Sequence, residues 1–476
     1  MRNAHPKYLC FPSVVCVGRE TEVTIFPRDI SRIFREDNEY DLAVVGLYDD
    51  QLLYRESVPH DHPCYVKDGC LHFTFTPEYE QEYSIRFSKV GDAEIRIPLY
   101  AVDEDLYALR PLKGDLHSHS YYSDGIDGLA MTPADYREEG FDFFALTDHN
   151  RLFPSEECAA LYRDIPLGIH MMLGEEIHPP VSSIHIVGIG ETESVANFYI
   201  HHPEEYEAVL DELEPTFTNL PVEHRRRAAM VKWACDAIRK AGGIAILPHP
   251  FWRPNSYNYA KVFLDFLFDE HLFDALEVIG GIAAAAVNCP AKFNNMQVAL
   301  WQEQASKGNA LPVVGSSDSH NHDFSKGGFG RNFTMVFAKD NTTEAILEAI
   351  RNGYSGAGEV PLNADGDVRF YGSQVRLVAF AHFLYENYFN ETWRLCIGEG
   401  ILMRRYAQGE PVEELLAALA DTVPNFYKQF YGLLPAPSLS AERVAFLDEC
   451  RTRQIEEGPL SNGGVIKLYG NNDRRL

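Results

Sequence analysis

The sequence has no CxxC pair, no long apolar run and no excess of positive charge, and each absence removes a class of protein. Its 476 residues hold 42 lysines and arginines against 70 aspartates and glutamates, a formal net charge of −28. A broad interface with a phosphate backbone needs a basic face, so this balance argues against tracking along nucleic acid. The nine cysteines are odd in number and scattered, which suggests neither a disulfide framework nor a thiolate zinc site. Free thiols in a reducing compartment are the expectation. No stretch approaches the roughly 20 apolar residues of a spanning helix, and the opening MRNAHPKYLCFPSVV holds no run long enough for a signal peptide. We therefore expect a cytoplasmic protein with no membrane partner. Internal repeats and low-complexity tracts are also missing.

What is present is ordinary globular material, 45% hydrophobic and 12% aromatic, enough for a sizeable core. The acidic balance leaves a small anionic substrate open, because bound cations reverse the local sign of charge.

Three grammars follow one another along the chain. Residues 1–110 read as short strands: ETEVTIF (20–26), YDLAVVGLY (40–48), LHFTFTP (71–77), EYSIRFS (82–88) and AEIRIPLYAV (93–102). That spacing suggests a small β-sandwich. An HxH pair here, His60 and His62, lies in a loop-like stretch and lacks ligand-like company. Residues 111–360 alternate strands with helices. Apolar runs recur at 143–147, 170–174, 184–190, 243–247, 275–280 and 311–315, with helix patterns at 224–242 and 344–353. This is the pattern of a parallel sheet, open or closed. Residues 361–476 hold helix patterns at 374–389, 393–408, 412–423 and 441–457, read as a helical appendage with a polar, loose end.

The chemistry concentrates in the middle region. In GDLHSHSYYSDG (114–125) His117 and His119 are two apart, so on extended chain both project from one face and can reach one cation. Asp124 follows in a turn. Ionisable residues then stand at one strand end after another: Asp148 and His149 after FFALT; Glu175, Glu176 and His178 after HMMLG; His249 and Arg253 after GIAIL; Asp318, His320 and His322 after LPVVG. The C-terminal edge of a parallel sheet is where sites are built. His185, between isoleucines, also reads as a core histidine. Asp148 reads as a turn cap or, preferably, as a group orienting His149. Spacing alone does not choose between Glu175 and Glu176. His178, His201 and His202 read more readily as loop residues than as ligands, and Lys113 and Arg253 read equally well as solvated charges.

In order, HSHSYYSDG, LTDH, GEE, the histidine of HIVG, PHP and DSH resemble the polymerase and histidinol phosphatase (PHP) superfamily over residues 113–360, about half the chain. An aspartate at 124 resembles its small metal-dependent phosphoesterase branch. The resemblance implies a distorted (β/α)7 TIM-like barrel; the N-terminal β-sandwich-like domain and the helical C-terminal region fall outside it. It implies two or three divalent ions. One would take His117, His119, Glu176 and Asp318; a second would share Glu176 and take His185 and His249; a third would take Asp124, His149 and His320.

Imidazoles mixed with carboxylates suit Mn²⁺, Fe²⁺ or Zn²⁺ rather than Ca²⁺ or Mg²⁺. Cations sharing a water lower its pKa from 15.7 towards about 7, giving a hydroxide able to attack phosphorus. The expected activity is hydrolysis of a small phosphorylated metabolite or nucleotide. Arg253 is the candidate phosphate contact, and His178 or His322 the candidate general acid. The alternatives are a nuclease trimming nucleic-acid ends, C–N hydrolysis on a similar constellation, and a non-enzymatic metal-binding protein. The complete ligand set argues against the last. No lysine stands where C–N hydrolysis would favour a carbamylated bridge. The oligomeric state is left open.

Overall fold

The computed structural model describes residues 7–47, 61–180, 182–252, 259–281, 290–322, 328–361, 367–447 and 449. Arg253, His60 and the polar end from 450 on lie outside them. The protein is mixed α/β and divides into two compact units. One runs from Leu109 to Pro424; the other combines the residues before 109 with those after 424.

The second unit is two four-stranded sheets. One orders β1 (Tyr8–Phe11), β3 (Thr21–Pro27), β6 (Cys70–Phe75) and β5 (Cys64–Lys67); the other orders β2 (Val14–Cys16), β8 (Ile95–Val102), β7 (Gln81–Lys89) and β4 (Tyr40–Gly46). Alternate residues face inward, as period two requires. Val23, Ile25, Leu71 and Phe73 from one sheet share a core with Leu42, Ile85, Phe87 and Leu99 from the other. Residues beyond 424 complete this unit: Ser13 N–H donates to the Phe430 carbonyl at 2.8 Å, and the Phe11 and Phe426 rings meet edge to face. The strands β1, β2 and β5 escape sequence reading because they are only three or four residues long.

The first unit contains the remaining strands, β9 (Arg110–Asp115), β10 (Phe143–Ala145), β11 (His170–Met172), β12 (Gly174–Ile177), β13 (Ile186–Ile189), β14 (Ile244–Leu247), β15 (Ala275–Ile279), β16 (Val313–Gly315), β17 (Asn332–Ala338), β18 (Ser355–Glu359) and β19 (Arg369–Tyr371). One sheet is β11-β10-β9-β17-β18-β19, the other β12-β13-β14-β15-β16. Neither is wholly parallel. The β9–β10, β10–β11, β14–β15 and β15–β16 pairs are parallel, but β13 runs against both its neighbours. The run expected at 170–174 is split at Leu173 between two sheets. Two isolated parallel bridges join the sheets, His149 with Glu176 and Ser118 with Ser319. Most of these strands are buried on both faces, and Leu112, Ala145, Met172, Val187, Ile246, Ala275 and Val314 share one apolar cluster.

The helices obey the same burial logic. The helix α1 (Thr132–Glu138) precedes β10. In α2 (Val222–Lys240), Ala228, Val231, Ala234, Cys235 and Ile238 form the buried stripe, and its small residues allow close approach to β13 and β14. Thr342 caps α3 (Thr343–Arg351) by accepting from Ala345 N–H. The helices α4 (Val375–Leu384) and α5 (Asn390–Ala407) belong to this unit too. α5 lies against α1 so closely that a Cβ on Gly400 would sit 2.5 Å from Glu138 Cγ.

Between α1 and α5 lies a buried ion pair. Arg137 Nε donates to Glu399 Oε2 at 2.6 Å, and Gly168 N–H donates to Glu399 Oε1 at 2.6 Å. Glu399→Ala leaves a guanidinium buried without this carboxylate, so we expect it to lose about 3–5 kcal/mol in urea unfolding. Replacing both partners, Arg137→Met with Glu399→Leu, should cost far less. Equal losses in the single and double variants would contradict a role for the pair.

Candidate metal centre

Apart from Glu176, each candidate ligand sits just outside a buried strand. β9 ends at Asp115, but extended chain continues through the Ser118 bridge, and His117 and His119 are both fully buried. Asp124 is in the turn beyond. His149 follows β10, His249 follows β14, and Asp318 and His320 follow β16. Glu176 is inside β12 and points opposite to Glu175, as neighbours on a strand must. Glu175 faces away from the cluster and accepts from Val195 N–H (2.6 Å), Ala196 N–H (3.1 Å) and the Ser194 hydroxyl (2.8 Å). His185 precedes β13. Because β13 is reversed, its start lies where the other strands end.

Glu176 is the hub. Oε1 lies 2.9 Å from His185 Nδ1, 3.3 Å from His249 Nε2 and 3.6 Å from His117 Nε2. Oε2 lies 2.9 Å from His149 Nε2, 3.1 Å from His178 Nε2 and 3.6 Å from His119 Nε2. Asp318 is the second carboxylate, with Oδ1 3.0 Å from His119 Nε2 and 3.3 Å from His117 Nε2. Asp124 is the third and half exposed, with Oδ1 3.2 Å from His320 Nε2 and 3.7 Å from His149 Nε2. Donor atoms converge within 4.8 Å of one another in overlapping groups: His117, His119 and Asp318; His117, Glu176 and His249; His119, Asp124, His149 and His320; His149, Glu176 and His178.

These donors fit divalent cations on three counts. Several buried donor atoms have no hydrogen-bond partner among the described residues, including His117 Nε2, His178 Nε2, His185 Nδ1 and Asp318 Oδ2. Nitrogens and oxygens that face one another without hydrogen-bond geometry are arranged as donors to a shared cation would be. Buried carboxylates also need compensating charge. Finally, Asp318 (φ +47°) and His249 (φ +25°) hold left-handed backbone, a strain that persists where a site over-determines it.

Electrostatics point the same way. Burial works against the charged form of Glu176, but His117 first, and then the close contacts of His149 and His178, outweigh burial and hold the carboxyl well below its usual range. Burial likewise opposes Asp318, and His117 and His119 hold it low. Asp124 falls to about 2, burial being outweighed by His320. Among the imidazoles, burial is overcome at His117 by Asp318, Glu176 and Glu277, at His149 and His249 by Glu176, and at His320 by Asp124, which lifts it to about 9. Burial prevails at His119 and at His185, which drops to about 4. A cation entering here displaces protons from the raised imidazoles, so loading strengthens as pH rises.

Several other residues weighed from the sequence stand elsewhere. His322 is buried beside Asp135 (Nδ1 to Oδ2 3.1 Å) and Asp127, and no ion pair among the described residues joins it to Glu176, Asp318 or Asp124. His202 is exposed and pairs with Glu205. Lys113 is buried over the Phe141 ring, with Nζ donating to the Glu139 carbonyl at 2.9 Å. Asp148 accepts from Ser120 N–H and from the Ser120 and Ser123 hydroxyls, so it orders the loop that carries Asp124 rather than orienting His149.

Two buried carboxylates escaped sequence reading. Glu277 Oε2 lies 2.9 Å from His117 Nδ1, fixing the ring so that Nε2 faces Glu176 and Asp318. Asp115 accepts from the N–H groups of His117 and Ser317 and from the Tyr136 hydroxyl, tying the two ligand-bearing segments together. The available signal was a lone acid inside an apolar run, as in ALEVIG, which burial obliges to find a partner.

No family model matches the sequence, and no curated protein matches it. Among solved structures, the chain is similar to a two-domain protein from Bacteroides vulgatus containing a predicted PHP-like metal-dependent phosphoesterase. They are 21% identical, with a TM-score of 0.37, over 52% of this chain and 65% of that one, less than two thirds of its length. It is also similar to a protein from Bifidobacterium adolescentis, named, likewise by prediction, a metal-dependent phosphoesterase (17% identity, TM-score 0.31, 44% of this chain and 87% of that one). A third similar structure is an amidohydrolase from Chromobacterium violaceum with bound sulfate (19% identity, TM-score 0.28, 44% and 87%).

Proposed function

We propose that the protein is a metal-dependent phosphoesterase whose site is a trinuclear centre at the mouth of a distorted seven-stranded barrel. The observation that carries this reading is the convergence of imidazoles on the paired oxygens of Glu176, with Asp318 and Asp124 closing the ring of donors. The barrel reading is supported by the pairings: β9 pairs with β10, β12 to β16 pair in turn, and the isolated bridges His149–Glu176 and Ser118–Ser319 connect β10 with β12 and β16 with β9.

The ligands are His117, His119, Asp124, His149, Glu176, His185, His249, Asp318 and His320. Imidazole with carboxylate favours Mn²⁺, Fe²⁺ or Zn²⁺. Such ions supply Lewis acidity and an activated water. The chain's own residues do the positioning: Glu277 holds His117, Asp115 joins the segments bearing His117 and Asp318, and Asp148 shapes the Asp124 loop. The half-exposed Asp124 and His320 mark the side from which a substrate enters. Phosphoester oxygens carry the charge that cations stabilise as it redistributes in the transition state.

The competing reading is C–N hydrolysis, and the names of the similar structures fall on both. The bridging position favours the phosphoester reading, because a glutamate occupies it. Purified protein with added Mn²⁺ should hydrolyse members of a panel of phosphomonoesters, phosphodiesters and short oligonucleotides. The preferred class separates a metabolite phosphatase from a nuclease. Turnover of cyclic amides and none of the phosphoesters would overturn the proposal.

A further inference from the structure

We propose that His178 is a tenth ligand of this centre, sharing a divalent cation with Glu176 and His149. The proposal rests on the metal-centre reading above and extends it to a residue outside the nine-ligand set.

The first observation is placement along the chain. Glu176 and His178 are two apart at the end of β12, so extended backbone turns both side chains to the same side. Glu-Ile-His thus repeats on β12 what His-Ser-His does after β9.

The second is geometry. His178 Nε2 is 3.1 Å from Glu176 Oε2, and His149 Nε2 is 2.9 Å from the same oxygen. The three donor atoms lie within 4.8 Å of one another. His178 Nε2 is a buried atom without hydrogen-bond geometry to any described residue. A plain His–Glu hydrogen bond would satisfy that nitrogen, and the angles do not provide one.

The third is how firmly the ring is held. It stacks on His185 at 3.8 Å and 22°, and tilts against His149 at 4.1 Å. The backbone N–H of His178 donates to Asn150 Oδ1 at 2.7 Å. The Tyr199 hydroxyl donates to the same Oδ1 at 2.5 Å and lies 3.3 Å from the His178 carbonyl oxygen. Asn150 follows His149 directly and holds a φ of +55°. One side-chain amide therefore fixes the backbone beside both imidazoles, a construction that a passive loop histidine does not need. A second imidazole donor beside His149 biases this position towards Zn²⁺ and other late first-row ions over Mg²⁺.

The test is metal binding, read separately from turnover. Metal-free full-length protein is titrated with Zn²⁺ against a chromophoric chelator, and the Co²⁺-loaded form is read by its visible absorption. His178→Ala and the size-preserving His178→Gln are compared with wild type and with His202→Ala, an exposed control. Circular dichroism melts report folding in each. We expect both His178 variants to lose one tight equivalent, or to bind it at least about tenfold more weakly, with a changed Co²⁺ spectrum, while His202→Ala matches wild type. Unchanged equivalents and affinity in folded His178→Gln would overturn the assignment and return His178 to the role of a proton donor. Wild-type protein with no tight equivalent at all would instead overturn the metal-centre reading on which it rests.

Discussion

Glu176→Gln should cut turnover at least about a thousandfold, the scale at which a site loses a cation and the charge it neutralises. The amide keeps the size of the side chain and removes its charge. Six imidazole nitrogens lie within 3.6 Å of the two Glu176 oxygens, and among the described residues no other touches as many donors of the centre. Metal content after dialysis should fall with the activity. Because Glu176 sits inside β12, paired with β13, the backbone is unaffected by an isosteric change, and the folded fraction should match wild type. Wild-type metal content and turnover in Glu176→Gln would remove Glu176 from the hub position.

Asp318→Ala should be equally severe, by at least about a thousandfold, for a partly different reason. Asp318 lies 3.0 Å from His119 and 3.3 Å from His117, so its loss leaves fully buried His119 without its nearest carboxylate and His117 without the one nearest its Nε2. Its backbone is left-handed, which aspartate and asparagine tolerate better than alanine. Asp318→Asn separates the two effects, since it keeps the backbone preference and removes the charge. Both variants should lose activity, and only Asp318→Ala should also lose some stability. An active, fully loaded Asp318→Ala protein would contradict the ligand assignment.

Much of this arrangement is readable in the sequence because buried strands are apolar runs, and a charge just past such a run stands out. His149, His249, Asp318 and His320 are read this way. His185 is not, because the sequence does not announce that β13 is reversed; a histidine at the start of a strand then looks like core. Glu175 and Glu176 are adjacent, and only the register of β12 decides which faces the cluster. Glu277 and Asp115 hide inside strands, where hydrophobic neighbours mask them. For α5 an amphipathic pattern shows that a face is buried but not what covers it. The Arg137–Glu399 pair and the close approach at Gly400 place it on α1. His322 shows the opposite failure: it follows the right strand, yet its ring turns to Asp135.

The most direct test removes and restores the metal. Protein stripped with a chelator is assayed for phosphate release from a phosphoester it hydrolyses, then assayed again after Mn²⁺ is added, beside Glu176→Gln treated identically. The account predicts that stripping abolishes release, that Mn²⁺ restores it in the wild type, and that Glu176→Gln stays inactive throughout. Hydrolysis that survives stripping, or that Mn²⁺ restores equally in Glu176→Gln, would contradict it.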